Sequence, residues 1–417
     1  MSLKKIYKVF LTDHSGHAGT FFVIAAGSIS LMLANLIFAR VLPAHDFGQL
    51  SLFFTIISFV TTFGLLGMDQ SLIRAIISKE HRSDVPLGLI GFFGIWIVST
   101  AVIITAVTSF FYRFAGTGLI LTLFAICFSI ATTVFLSSIL RARFRFFRSQ
   151  VMLQGWKILI FSCSLMFYFK ILTLDLKSVV LVLLICCLAP LSSFIRSGIK
   201  PERGIPYAPI LKRVLSEGFM FAGLVITVGF MNTLDRLAIP KIMGYDMLAD
   251  YTVFWTIICG PFILLQTGIG FVLLPWFRKK HIDENISEFT MKMKRYIPIA
   301  LFFVLLMCVF LYFFSSWFVA TVYPNKYYIS QPVKVFLVLL GVLRLYYAFI
   351  SAMLGAVASF KDLVIANAAA VLSVLVFFIV LFVFGGNVGL FGIVFALCSA
   401  WLARNISYTA VVSRSIK

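Results

Sequence analysis

Two arginines lie where an apolar chain has least reason to keep them. Arg344 sits near the centre of the run VFLVLLGVLRLYYAFISAML, and Arg404 lies well inside FALCSAWLARNISYTAVV. A guanidinium keeps its charge and presents five N–H donors in one plane. Against hydrocarbon it costs on the order of 2.5–3.5 kcal/mol on insertion scales. Something polar must therefore receive each one, either a structural acceptor or an anion drawn into a hydrated cavity. Arg40 and Arg236 close the first and seventh apolar runs at similar positions, and Asn35 and Asn232 stand about a turn earlier with amides suited to a polar ligand or to helix-to-helix bonds. Asp235 adjoins Arg236, and Asp69 lies with Arg74 at the inner end of the second run. These carboxylates are expected to pair with nearby cations, fixing helix ends or serving as a gate that breaks and reforms. Neighbours along a helix do not face each other, so Asp235 and Arg236 are expected to have other partners. Lys157 and Lys334 fall within a turn or two of run ends and read as snorkelling cations.

The elements that position these groups follow from composition. Of 417 residues 61% are hydrophobic and 12% charged, with a mean hydropathy of +1.06. No soluble globule has a surface that accommodates such a balance. Continuous Leu/Ile/Phe-rich runs of about twenty residues, the length needed to cross roughly 30 Å of hydrocarbon, recur about twelve times. Their continuity argues for helices and against the short alternating strands of a β-barrel. The fold class expected is all-α and integral to the membrane, with about 12 transmembrane helices. The first run is too long for a signal h-region, so no cleavable leader is expected.

The formal charge of +20 raises the question of nucleic acid. The cations instead alternate with the runs. With the N-terminus inside, about 24 of the 35 Lys/Arg fall on inner segments, about 7 outside and about 4 within runs. This places both termini in the cytoplasm and reads the basic stretches Arg141–Arg148 and Arg278–Arg295 as inner loops that meet anionic headgroups. Membrane lipids are the expected partners of this charge, and nucleic acid is not.

Several chemistries are missing. All seven cysteines fall inside predicted runs without the spacing of a disulfide framework or zinc site, and read as small apolar residues. The five histidines lie in predicted termini or loops, which argues against an intramembrane relay or metal centre. None of the fifteen acidic residues falls near the middle of a predicted run. There is no GxxxxGK[ST] phosphate loop, and outer loops of roughly ten to fifteen residues leave no room for a catalytic domain. No enzyme activity, cofactor or metal is expected.

The longest basic linker, Arg196 to Arg213, falls near the middle and divides the chain into a cytoplasmic N-terminus (1–17), a six-helix bundle (18–200), a linker (201–213) and a second six-helix bundle (214–417). The halves resemble each other. At an offset of 201 residues, Arg40 meets Lys241, Val41 meets Ile242, Ser51 meets Thr252, and Phe53, Thr55, Ile56 and Ile57 meet Phe254, Thr256, Ile257 and Ile258. Six runs per half give both copies the same orientation, which implies a pseudo-twofold axis along the membrane normal and a pathway between the halves.

These stretches carry a family resemblance. LIFARVLPAHDFGQLSLFFTI followed by GLLGMDQSLIR resembles the opening of bacterial polysaccharide transporters, and NTLDRLAIPKIMGYDMLADYTVFW is similar to their seventh and eighth helices. YYAFISAMLGAVASFKD adds a match in the tenth. The resemblance is to the multidrug/oligosaccharidyl-lipid/polysaccharide exporter superfamily, and within it to the O-antigen flippase (Wzx-type) branch. It implies that superfamily's two-bundle fold, a bacterial inner membrane location, and translocation of an undecaprenyl-pyrophosphate-linked oligosaccharide from the cytoplasmic to the periplasmic leaflet by alternating access. Arg344, Arg404, Arg40, Asn35 and Asn232 are then the candidate cavity residues. Association with a polysaccharide polymerase is implied by the resemblance alone. The alternative is a cation-coupled, MATE-like multidrug exporter, which ranks lower because the first helix has no carboxylate; a membrane enzyme of polysaccharide assembly ranks below both. One departure stands out: LADY (Ala249 to Tyr251) replaces the glycine expected before the tyrosine, so the turn there is expected to be organised differently.

Overall fold

The computed structural model describes residues 15–77, 85–114, 116–143, 145–172, 175–195, 201–202, 208–283, 286–357, 360–384 and 389–416. Almost all of them are helical, because a backbone in hydrocarbon must satisfy its own N–H and C=O groups. Contacts divide the chain into two units, Met1–Gly229 and Phe230–Lys417.

The first unit contains α1 (Ser15–Val41), α2 (Ala44–Phe63), α3 (Met68–Ile77), α4 (Leu87–Tyr112), α5 (Thr117–Ala142), α6 (Phe146–Tyr168) and α7 (Leu176–Leu188), and takes in the start of α8 (Ala208–Ile242). The second holds the rest of α8 with α9 (Tyr245–Asp283), α10 (Ile286–Val322), α11 (Gln331–Val357), α12 (Phe360–Phe384) and α13 (Gly389–Ile416). Ten of these helices are long and apolar enough to cross a membrane among the described residues, and Leu176–Leu191 is a shorter apolar helix. The expected seventh run falls on α8, which begins at Ala208 inside the predicted linker. Two residue pairs, β1 (Val85–Pro86) and β2 (Pro201–Glu202), form a short parallel ladder. The basic stretch after Trp276 differs from expectation: α9 runs on to Asp283 and α10 starts at Ile286, so helix occupies most of the predicted loop.

Within the first unit α1 and α6 run side by side in the same direction. Gly19 meets Phe147, Gly27 meets Gln154, and the rings of Phe38 and Phe167 lie 5.9 Å apart. A Cβ at Gly27 would stand 2.7 Å from Gln154 Cβ, so glycine is what permits this approach. Helix α5 packs against α2, α4, α6 and α7, with Phe93 and Phe135 stacked at 4.7 Å. Asp175 caps α7, its Oδ2 accepting from Ser178 N at 3.4 Å, and hydrogen bonding to Ser178 holds its carboxyl below the usual range.

In the second unit α11 is central, packed against α9 and α13, with α12 on α13. The arrangement parallels α5, which packs on both α2 and α7 in the first unit. The two hairpin turns share the hydrogen bonds that flank them. Helix ends at Val41 and Ile242 and resumes at Ala44 and Tyr245. Leu42 N donates to Phe38 O and Phe47 N to Pro43 O; Met243 N donates to Ile239 O and Leu248 N to Gly244 O, all at the same offset of 201. The flanking hydrogen bonds are kept despite the LADY departure, but the residue between the helices differs in conformation, Pro43 at φ −54° against a left-handed Gly244. Gly244, at φ 89°, performs the reversal, and Ala249 is buried inside α9 just as Gly48 is buried inside α2.

Candidate anion-binding site

Polar side chains of the second unit gather on the faces that α8, α9, α11 and α13 present to one another. Arg344 stands at the midpoint of α11 and is almost fully buried. Its Nη2 donates to Asn232 Oδ1 at 2.7 Å, tying α11 to α8. Arg236, one turn after Asn232, donates from Nη2 to the Asn232 carbonyl at 2.6 Å. Its guanidinium covers the Trp255 ring at 4.3 Å. Arg344 lies 5.8 Å from the same ring and 5.7 Å from that of Trp401. Arg404, fully buried on α13, faces Tyr347 at 4.7 Å, Tyr408 at 5.2 Å and Trp401 at 5.8 Å. Its Nη2 donates to Tyr408 Oη at 3.1 Å and Tyr347 Oη at 3.3 Å. Three guanidiniums are thus linked through two indole faces, which attract cations and cover their alkyl stems.

One carboxylate accompanies them. Asp235 is 1% exposed and accepts from Tyr251 Oη at 2.5 Å, across the α8–α9 pair. Arg236 Nε lies 3.9 Å from its Oδ1, at the outer limit of an ion pair and without a hydrogen bond. The helix-end reading of Asp235 and Arg236 is corrected here. Helix α8 continues to Ile242, so both residues lie well inside it, and Asp235 is a buried carboxylate within the helix rather than a cap. Its main partner comes from the next helix, as the geometry of adjacent residues requires.

The donors exceed the acceptors. Arg236 Nε, Arg344 Nε and Nη1, Arg404 Nε and Nη1, and the indole N–H groups of Trp255 and Trp401 are buried without a hydrogen-bond acceptor among the described residues. Among the described residues three cations stand against one anion in this group, an excess of two positive charges. Buried charge without a counterion is expensive in a low-dielectric interior. This arrangement suits an oxyanion carrying two negative charges, able to accept from several N–H groups at once. With 1.5 Å of rise per residue, Arg236 lies about 9 Å, Arg344 about 20 Å and Arg404 about 22 Å along their helices from the ends nearest the α8–α9 turn. The cations form a ladder from the outer third of the unit to its middle.

The other predicted residues lie elsewhere. Arg40 is exposed in the last turn of α1, with its guanidinium 5.9 Å from the Tyr168 ring. Asn35 donates from Nδ2 to Leu31 O in its own helix at 2.9 Å, and its Oδ1 is buried without a partner among the described residues. Asp69 pairs with Arg141 of α5 at 3.3 Å, a partner the sequence did not suggest. Arg74 lies on α3, and its side chain falls outside the described residues. Lys334 occupies the first turn of α11 and donates to Ser316 Oγ at 2.8 Å. Lys157 is a second correction. α6 starts at Phe146, earlier than the sequence suggests, and this puts Lys157 at the helix midpoint, not near an end.

Sequence reading missed the aromatic half of the site. Tyr251, Trp255, Tyr347, Trp401 and Tyr408 look like ordinary members of aromatic-rich runs. Their spacing carried the signal: Trp401, Arg404 and Tyr408 fall at i, i+3 and i+7, and Arg344 and Tyr347 at i and i+3, each set on one helical face.

These helices, and an arginine cluster buried within them, define a multi-pass membrane protein with a transporter fold. Solved structures of multidrug resistance MATE-family transporters of the MOP superfamily match it at a TM-score of 0.66 in the inward-facing and 0.60 in the outward-facing conformation. Identity is 16% in both, with 93% and 95% of this chain and 94% of each other chain covered. A MOP-superfamily transporter from Pyrococcus furiosus, described as having a binding pocket of reversed polarity that suggests a different function, matches at 0.57 and 16% identity, over 95% of this chain and 96% of that one. No curated protein matches the sequence. The family described as polysaccharide biosynthesis protein matches residues 37–332, and the chain belongs to that family.

Proposed function

We propose that the protein is a flippase of the bacterial inner membrane that moves undecaprenyl-pyrophosphate-linked oligosaccharide units from the cytoplasmic to the periplasmic leaflet. The observation that carries this reading is the buried arginine cluster around Trp255 and Trp401, with two positive charges in excess and seven donor nitrogens without an acceptor among the described residues. A diphosphate diester is a dianion with several exposed oxygens, so it matches both the charge and the donor surplus. Membership of a polysaccharide biosynthesis family supports a sugar-bearing cargo, and the transporter fold supports movement rather than chemistry. The polyprenyl tail needs no polar site, since it is as apolar as the bilayer itself. The structural neighbours named as multidrug transporters suggest drug export as the second reading. A cluster with excess positive charge repels cationic drugs, which favours the first.

The test is complementation of a flippase-deficient strain carrying a matching sugar pathway. Wild type, Arg344→Ala and Arg344→Lys are compared at equal membrane abundance. Restoration of surface polysaccharide by wild type but not by Arg344→Ala supports the proposal. Lack of restoration by wild type, together with greater tolerance of cationic dyes, would replace it with drug export.

A further inference from the structure

The first unit holds polar groups that the arginine cluster does not explain. Lys157 stands at the midpoint of α6 and makes no hydrogen bond or ion pair among the described residues; its one polar attraction is to the face of Trp156, at 5.9 Å. It does not reach toward lipid. The exposed large apolar residues in the body of α6 are Ile158, Leu159 and Met166, which share one stripe. At about 100° per residue, Lys157 lies roughly 150° around the helix from the middle of that stripe. It shares its own side with Gln154 one turn before and with buried Ser164 two turns after. Gln154 packs on Gly27 of α1, and its Oε1 is buried without a hydrogen-bond partner among the described residues. Asn35 lies on that same α1 and also has an unpartnered buried carbonyl oxygen. With Gly27 and Gln154 as the common level, Asn35 stands about 7 Å beyond Lys157 along the parallel helices, a span comparable to one sugar ring.

We propose that Lys157, Gln154 and Asn35 form a second binding site, within the first unit, for the hydroxyl groups of a sugar. The chemistry separates it from the arginine cluster. Two carbonyl oxygens and one ammonium present acceptors and donors together. A phosphate oxygen would be repelled by the carbonyls, whereas a hydroxyl both donates and accepts and so satisfies all three. Leaving such buried groups unpaired is costly, which makes them discriminate strongly for a ligand that completes them. The site's ligand rests on the flippase reading, with the sugar portion of the cargo recognised here.

Two measurements on the full chain test it. The first places Lys157→Cys, and Leu159→Cys as a lipid-facing control, in a protein whose seven cysteines are replaced by alanine or serine, and treats both with a charged, water-soluble thiol reagent. Modification of Lys157→Cys alone is expected. An unreactive Lys157→Cys overturns the proposal, since a sugar site must admit water. The second compares binding of undecaprenyl diphosphate and undecaprenyl-diphosphate-linked N-acetylglucosamine to wild type, Lys157→Met and Asn35→Leu in lipid nanodiscs. The variants are expected to lose about tenfold or more in affinity for the sugar-bearing lipid and none for the bare one. Equal losses for both lipids overturn the sugar site while leaving the cargo reading intact. Failure of wild type to bind either lipid overturns the cargo reading and, with it, the assigned ligand.

Discussion

Arg344 Nη2 and Asn232 Oδ1 lie 2.7 Å apart, joining the midpoint of α11 to α8 inside the second unit. The bond is neutral on one side, so it orients the guanidinium without cancelling its charge. A carboxylate in the same place would do both. Asn232→Asp is therefore expected to preserve or raise thermal stability in detergent while lowering flipping by roughly tenfold or more, the factor that about 1.4 kcal/mol of lost cargo binding corresponds to. Asn232→Leu is expected to lower both. Retained transport in Asn232→Asp would remove Arg344 from the proposed site.

Tyr251 gives Asp235 its hydrogen bond, and both are almost fully buried. Tyr251→Phe leaves a carboxylate oxygen without its donor, at a cost of about 1–3 kcal/mol. A lower melting temperature is expected for Tyr251→Phe. Adding Asp235→Asn should recover part of the loss, because the two residues belong to one pair and their effects are not additive. Full additivity in this double-mutant cycle would contradict the pairing.

Close packing at α11 supplies a purely structural prediction. A Cβ built on Gly341 would lie 2.2 Å from Phe262 Cδ2, and Phe262 is fully buried between α9 and α11. Gly341→Ala is expected to destabilise by about 1–3 kcal/mol through overpacking. Phe262→Leu in the same chain should relieve it, as read by the fraction of protein remaining soluble in detergent after heating.

The sequence made the helices legible because hydrocarbon imposes one period and one length on every crossing. It also exposed the repeated hairpin, where a polar turn interrupts apolar runs at matching positions. Arg344 and Arg404 stand out for the same reason: an arginine within an apolar run demands a polar partner, structural or bound. Their aromatic partners do not, since a tryptophan in a run with many phenylalanines carries no contrast. Helix limits caused the errors at Asp235 and Lys157. A polar residue in an apolar run suggests a helix end, but α8 extends to Ile242 and α6 starts at Phe146, so both residues lie within their helices. The Asp69–Arg141 pair joins residues 72 positions apart, so no local pattern announces it.

Energy for the proposed transport follows from the sign of the cargo. With the cell interior negative, an anion moving outward is helped by about 2.3 kcal/mol per elementary charge per 100 mV when it crosses the whole field. A diphosphate diester therefore gains from the potential even without a coupling ion. In the described membrane-embedded part of the second unit, Asp235 Oδ2 accepts from Tyr251 and Oδ1 faces Arg236 at 3.9 Å, so its charge is partly offset by that cation. In vesicles loaded with labelled lipid-linked oligosaccharide, a potassium diffusion potential that makes the cytoplasmic-facing side negative should accelerate movement away from that side. Reversing the potential should slow it. Indifference to the potential, combined with a response to a proton or sodium gradient, would mean that an ion drives the step and that the cargo's charge is neutralised before it moves.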